Sequence, residues 1–487
     1  MMLSKLDNEI MNCANLQDYN RAYTSEGGAM LVVSTNSKKK NTFVLSSGLN
    51  FTQGGRRGWQ RDTLEISNRQ VYLDRDWDNN DVSWNSNFKF NSVISPLFKL
   101  VVTGNYKYSE NSSRGFGENM LTGSLDTNNT RNYTFYHNSY KIDGGLIYYG
   151  ERVEMKGGVA VNHQIRNQVE RFSVRRQMKD RFFYVNPMWS MRVTFSPTCN
   201  MALSYSTKTK LPLLEQLRIE VDEANPLNLS VGNPDLKPTN KHTFRVECNK
   251  ILPPSSALRT LIYFALIQKP IVSSSRYFME TTYLPKYAYI VEQGATLNTF
   301  ENSDSGYNLL VKAGYEKFWS FLGKCTFDIS YEQLKRPSFI QEESCDLMTN
   351  RGTCEIGINT NFSEKVKLSM TSNTIFDSSD SRLGRGNKLL SEGIELNVET
   401  MIIPKYLVKA TMKYDYCKNF TTHYEMKETI LNVEISHKFK YFLMALKGEN
   451  LLDSKRSNSA GSTEQYDYRR GWSQSGRYVT LIVSKRF

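Results

Sequence analysis

The sequence predicts an all-β chain, a large antiparallel transmembrane β-barrel of about 18–22 strands. Three observations carry that reading. Apolar and polar residues alternate over stretch after stretch, many of about ten residues. Helical periodicity is nearly absent. The longest wholly apolar run, Leu261–Ile267, covers seven residues, whereas a membrane-spanning helix needs about 20.

Taken along the chain, the first clear strand begins at Phe98. Phe98, Leu100, Val102, Gly104, Tyr106 and Tyr108 share one face, with Lys99, Val101, Thr103, Asn105 and Lys107 between them. Successive strand residues point to opposite sides, so one face is apolar and the other mainly polar. Glu110-Asn111-Ser112-Ser113 then reads as a loop, because such residues favour turns. Polar stretches at 109–130 and 208–240 read as long loops. Leu213–Ala224, between Pro212 and Pro226, holds the one passable helical turn or two. Alternation returns in Cys325, Phe327, Ile329 and Tyr331. Asp377-Ser378-Ser379-Asp380 reads as another loop, followed by alternation in Ile394, Leu396 and Val398 and in Tyr406 through Tyr416. Arg477–Phe487 reads as a last strand, with Val479, Leu481, Val483 and Phe487 on one face.

The composition suits this architecture. The chain has 487 residues and is 39% hydrophobic, 12% aromatic and charged to +13, with a mean hydropathy of −0.51. A membrane barrel shows lipid only one face of each strand and keeps a polar lumen, so low hydropathy is no obstacle. Closing the sheet satisfies every backbone group, as the bilayer interior requires. Tyr106, Tyr108, Tyr414 and Tyr416 are placed to form interfacial girdles. A soluble propeller would repeat every 40–50 residues or so, and no such repeat is found. The positive charge is scattered, with basic runs as short as Lys38-Lys39-Lys40. That argues against nucleic acid as a partner.

No catalytic or metal-binding constellation is found, so neither enzymatic activity nor a cofactor is expected. His137, His163, His242, His423 and His437 lack paired-ligand spacing. Gly115-Phe116-Gly117 lacks the third glycine and the helix of a dinucleotide loop. Seven cysteines without a CxxC exclude zinc-type spacing. Cys345 and Cys354 either close a small loop in an oxidising compartment or stay unpaired.

Gly232-Asn233-Pro234-Asp235-Leu236-Lys237-Pro238 resembles a segment of TonB-dependent receptor barrels that follows a long loop and precedes a strand. Pro238 cannot donate to a ladder, so pairing should begin beyond it. The segment is a family marker and a rigid turn, not a ligand site. Gly27-Gly28-Ala29-Met30-Leu31-Val32-Val33, running on to Thr35 and Lys39, resembles the last strand of the plug in these receptors. Glu449-Asn450-Leu451-Leu452-Asp453 resembles a turn before their last strands, and the terminal Phe487 resembles the barrel-assembly signal of outer-membrane proteins. Lys485 departs from that signal, which usually has an aromatic or apolar residue there.

The resemblance, closest to Bacteroidetes-type receptors, implies residues 1–37 as the remnant of a plug and 38–487 as the outer-membrane barrel. It implies binding and import of a scarce, bulky solute such as an iron chelate or glycan, with contacts in loops 109–130 and 208–240. The implied partners are outer-membrane lipid, the barrel-assembly machinery and, in a full-length form, the TonB energy-coupling complex. A surface lipoprotein is a further partner the resemblance leaves open. The implied location is the outer membrane of a Gram-negative cell, although no signal peptide is read at Met1–Asn20. Most of the plug and its coupling box are also missing. The chain is therefore expected to be a truncated reading of a longer receptor or a degenerate barrel. The functional alternative is a non-transporting structural or adhesive barrel, and a soluble nucleic-acid-binding β protein is the third reading.

Overall fold

The computed structural model describes residues 2–6, 9–34, 41–64, 69–119, 124–125, 130–171, 176–217, 221, 228–287, 289–340, 343–363, 365–381, 384–401, 405–439, 442–454, 456–462, 467–473 and 476–485. Among the described residues nineteen strands form the wall. They are β1 (Glu9–Ser34), β2 (Thr42–Leu64), β3 (Arg69–Ser95), β4 (Phe98–Asn119), β5 (Arg131–Tyr149), β6 (Val153–Glu170) and β7 (Arg176–Ser196). Then come β8 (Cys199–Lys210), β9 (Thr239–Leu252), β10 (Ser256–Gln268), β11 (Gly306–Trp319), β12 (Gly323–Ile340) and β13 (Glu343–Ser363). The last six are β14 (Val366–Ser381), β15 (Gly384–Thr400), β16 (Tyr406–Asn419), β17 (Tyr424–Lys438), β18 (Phe442–Glu449) and β19 (Tyr478–Lys485). Each pairs antiparallel with the next, from β1–β2 through β18–β19. Among the described residues no helix is long and apolar enough to cross a membrane.

The register carries the alternation from strand to strand. One row runs Leu31, Leu45, Phe88, Gly104, Ile142, Val161 and Val185 across β1 to β7. Another runs Leu203, Val246, Ile262, Val311, Tyr331, Gly352 and Phe376 across β8 to β14. Residues opposite one another share a face, so these rows form an apolar surface across β1 to β14. It is open to its surroundings: Ile262 is 48% and Val185 48% exposed. A continuous exposed apolar belt of this extent is a lipid-facing surface and not a soluble one.

The belt occupies only part of each strand. On β4 it starts at Phe98, beside a two-residue turn, and ends at Tyr106 and Tyr108. Trp84 meets Tyr106 edge-on at 5.7 Å, and Tyr106 meets Tyr140 at 5.0 Å, forming an aromatic girdle at this level. About ten tilted residues span the hydrocarbon. Beyond the girdle the strands continue as polar ribbons.

Those ribbons correct two expectations. Glu110–Ser113 and Asp377–Asp380, read from sequence as loops, lie inside β4 and β14; all are paired on both sides except Asp380, which pairs with β13 alone and bulges toward β15. With both faces in water, a ribbon needs no apolar alternation, and ladder hydrogen bonds suffice to hold it. A third difference concerns the start of the chain. Glu9–Ser34, which contains the glycine turn and apolar run assigned to a plug remnant, is instead the first wall strand, paired to β2 from Asn12 to Ser34. Within the stretch expected to be helical, the described residues hold one short helix, Leu214–Leu217. Cys345 and Cys354 lie nine residues apart on one strand, β13, which separates them by about 30 Å. A disulfide needs Cα atoms within about 7 Å, so that pairing is excluded. Phe487 lies outside the described residues.

Candidate functional site

Most of the buried apolar side chains lie outside the wall. Between β8 and β9 and between β10 and β11, two long insertions fold together into a platform at the end of the wall opposite the short turns. Its core is Val221, Leu229, Val231, Phe278, Val291, Ala295 and Leu297, with Leu229 and Val231 each 1% exposed. Short strands supply the frame. Asn228–Ser230 runs parallel to Thr296–Asn302, which pairs antiparallel with Ile271–Tyr277. Ser274 and Ser275 add parallel pairing to Phe339 and Ile340 of β12, joining the platform to the wall.

The marker turn Gly232–Pro238 is the strut between this platform and β9. Asn233 Nδ2 donates to Phe300 O at 3.0 Å, and its Oδ1 accepts from Asp235 N at 3.1 Å. Asn302 clamps the other end: its Oδ1 accepts from Lys237 N at 2.6 Å, and its Nδ2 donates to Lys237 O at 2.9 Å and Lys269 O at 3.0 Å. Leu236 is buried, while Pro234, Asp235 and Lys237 are exposed. β9 begins at Thr239, the residue after Pro238. An asparagine amide can satisfy a donor and an acceptor of one backbone residue together, which explains the residue type at 302.

Below the platform, the polar face of β5, β6 and β7 carries a cluster that the sequence did not announce. Arg166 Nη1 donates to Pro212 O at 2.5 Å, and its guanidinium lies 5.3 Å from the Phe182 ring centroid. Gln164 Nε2 donates to the Tyr184 hydroxyl at 2.7 Å, and His137 Nε2 donates to Gln164 Oε1 at 3.0 Å. Asp180 stands opposite Arg166 in register. Pro212 is fully buried, so Arg166 draws the first residues of the insertion inward over the polar face. The contact joins residues 46 positions apart in sequence, and no local pattern signals it.

The same face continues around the wall as paired charges. Lys312 reaches Asp328 at 3.3 Å, Lys413 reaches Glu395 at 3.0 Å, and Arg351 holds Asp377 through two contacts of 2.7 and 3.1 Å. These side chains are partly exposed, so each pair adds only about 0.2–1 kcal/mol. Their effect is to keep this face wetted and charged. Among the described residues no group of three or more His, Cys, Asp and Glu is placed to hold a metal ion. The platform, the strut and the Arg166 cluster thus form a folded cover beside a polar interior. Of the two loops expected to contact a solute, 208–240 contributes to this cover, whereas 109–119 is ribbon.

The sequence model of the outer membrane protein beta-barrel family matches residues 124–383. No curated protein matches the chain in sequence. Among solved structures, the siderophore receptor PirA from Pseudomonas aeruginosa is similar over 96% of this chain and 81% of its own, with 8% identity and a TM-score of 0.37. The copper transporter OprC is similar over 97% and 79%, with 11% identity and a TM-score of 0.48. The outer membrane transporter YddB from Escherichia coli is similar over 95% and 76%, with 10% identity and a TM-score of 0.39.

Proposed function

The chain belongs to the outer membrane protein beta-barrel family, and from that premise we propose that it forms the wall of a receptor that binds and imports a scarce, bulky solute. The observation that carries the reading is the width of the wall beneath its folded cover. Barrels of about 16–18 strands leave an aqueous channel and those of about 22 hold a plugged lumen, and the described residues of this wall supply nineteen. Such a lumen is too wide for its own side chains to fill. The buried core of the platform gives that opening a rigid recognition surface, where a passive pore would need none. Import against a gradient requires energy, which in a full-length form comes from a TonB-type complex. The net charge of +13 favours an anionic solute, such as an iron chelate or an acidic glycan.

The test is binding and energised uptake. Protein in vesicles is titrated with a ferric catecholate chelate, an acidic oligosaccharide and a neutral oligosaccharide of equal size, and energised cells are assayed for accumulation. Preferential binding and uptake of acidic solutes supports the reading. Equal binding of acidic and neutral probes removes the charge argument. Absence of binding and uptake, together with cell attachment to coated surfaces, favours a structural or adhesive barrel.

A further inference from the structure

The half of the belt beside the short turns is almost free of charge. From β2 to β14, its outward positions hold only two of the described Asp, Glu, Lys and Arg residues, Lys250 of β9 and Lys317 of β11. Each stands an even number of residues from the outward Val246 or Val311 on its own strand, and so on the same face. Other lysines of the wall sit against carboxylates. Outward at the opposite rim, Lys335 reaches Asp346 at 2.9 Å. On the polar face behind Lys317, Lys324 reaches Glu316 at 3.0 Å. Among the described residues neither Lys250 nor Lys317 meets a carboxylate.

The two lysines flank β10. Lys250 stands beside Leu258, Leu258 beside Tyr315, and Lys317 beside Ser256, the first residue of β10. Strand spacing and rise put the two lysine Cα atoms about 12 Å apart, so both ammonium groups reach a single group lying over Ser256. The Tyr315 hydroxyl donates to Ser256 Oγ at 3.3 Å, which leaves the serine's own proton for a further acceptor. Lys317 Nζ lies 3.8 Å from the Trp319 ring centroid, and Trp319 meets Phe321 edge-on at 6.1 Å. Both rings are exposed, and tryptophan favours the membrane–water boundary.

A lysine at that depth lays its stem along apolar surface and lifts its ammonium into the headgroup layer. The acceptor there that meets two cations and a hydroxyl is a lipid phosphate, and an anionic surface attracts each such lysine. We propose that Lys250, Lys317 and Ser256 bind the phosphate of an anionic phospholipid in the leaflet beside the short turns. Its acyl chains run along Leu258 and Ile262, outward residues of β10 that are both exposed. The site lies on the outside of the wall, apart from any solute path, and stands whether or not the barrel imports a solute.

The test folds residues 1–487 in vesicles of equal phosphatidylglycerol and phosphatidylcholine. The protein is extracted in mild non-ionic detergent, and the lipid it retains is counted by mass spectrometry. Each lysine should favour the anionic lipid about fivefold, giving about 25-fold for the pair. Lys250→Gln or Lys317→Gln should lower the ratio to about fivefold, and the double variant to about one. Lys250→Arg with Lys317→Arg should keep the preference, as should Lys324→Gln on the polar face. Heat-dependent gel mobility checks that every variant folds. No preference in the unaltered protein, or an undiminished one in the double glutamine variant, would overturn the proposal. An equal loss in Lys324→Gln would do the same, because it would mark a general effect of charge. Displacement of the lipid by excess inorganic phosphate would assign the site to a free anion and overturn the lipid reading.

Discussion

Substituting Val311 by Arg tests the lipid-facing belt directly. Val311 lies midway along the outward run Tyr307, Leu309, Val311, Ala313 and Tyr315 of β11, opposite Ile262 and Tyr331, and is 41% exposed. The next residue, Lys312, points the other way and pairs with Asp328 at 3.3 Å. An arginine at the bilayer midplane of a barrel costs about 2–4 kcal/mol, which lowers the folding equilibrium constant roughly 30- to 1000-fold. Val311→Ala removes apolar contact without charge and should cost only about 1 kcal/mol. Lys312→Arg keeps its partner and its wet surroundings, so its effect should stay within about 0.5 kcal/mol. Urea titrations of vesicle-embedded protein, read by tryptophan fluorescence and by heat-dependent gel mobility, measure all three. If Val311→Arg matched Val311→Ala, the outward face would not meet lipid, and the membrane reading of the alternation would be refuted.

Three further outcomes are expected. Asn302→Ala removes three hydrogen bonds to Lys237 and Lys269, each worth about 1 kcal/mol net; proteolysis around 228–238 should accelerate while the urea midpoint of the wall holds, and a shift of the whole wall would show that the strut is not local. Gly323, the first residue of β12, has φ +72°, and an added Cβ would sit 2.3 Å from Asn359 O, so Gly323→Ala should cost at least about 1–3 kcal/mol. Gly157 has open space at its Cβ position, so Gly157→Ala should be near neutral in the same titration; equal effects would dismiss the backbone argument. Peptide mapping after mild oxidation should find Cys345 and Cys354 unlinked to each other, and a linked pair would contradict their placement on one strand.

The alternation at Phe98–Tyr108, Cys325–Tyr331 and Tyr406–Tyr416 was legible because lipid imposes it residue by residue, with no need to know a strand's neighbours. Glu110–Ser113 misled because the same chemistry marks a turn and a ribbon wet on both faces. The Gly27–Val33 run was read correctly as a strand but assigned to a plug. Local propensity says that such a run extends, and only its partner, Thr42–Leu49, decides which sheet receives it. The platform left no periodic trace at all. Leu229, Val231, Val291 and Leu297 come from short segments far apart in sequence, each too brief to show a repeat.

The order of apolar and polar residues was therefore sufficient to determine an all-β wall and its membrane face. Tertiary structure alone decided that Asn302 would clamp Lys237 and that Arg166 would draw Pro212 over the polar face. The physical reason is range. A two-residue alternation answers to the solvent on each side of a single strand, whereas these contacts depend on the registers of many strands added together.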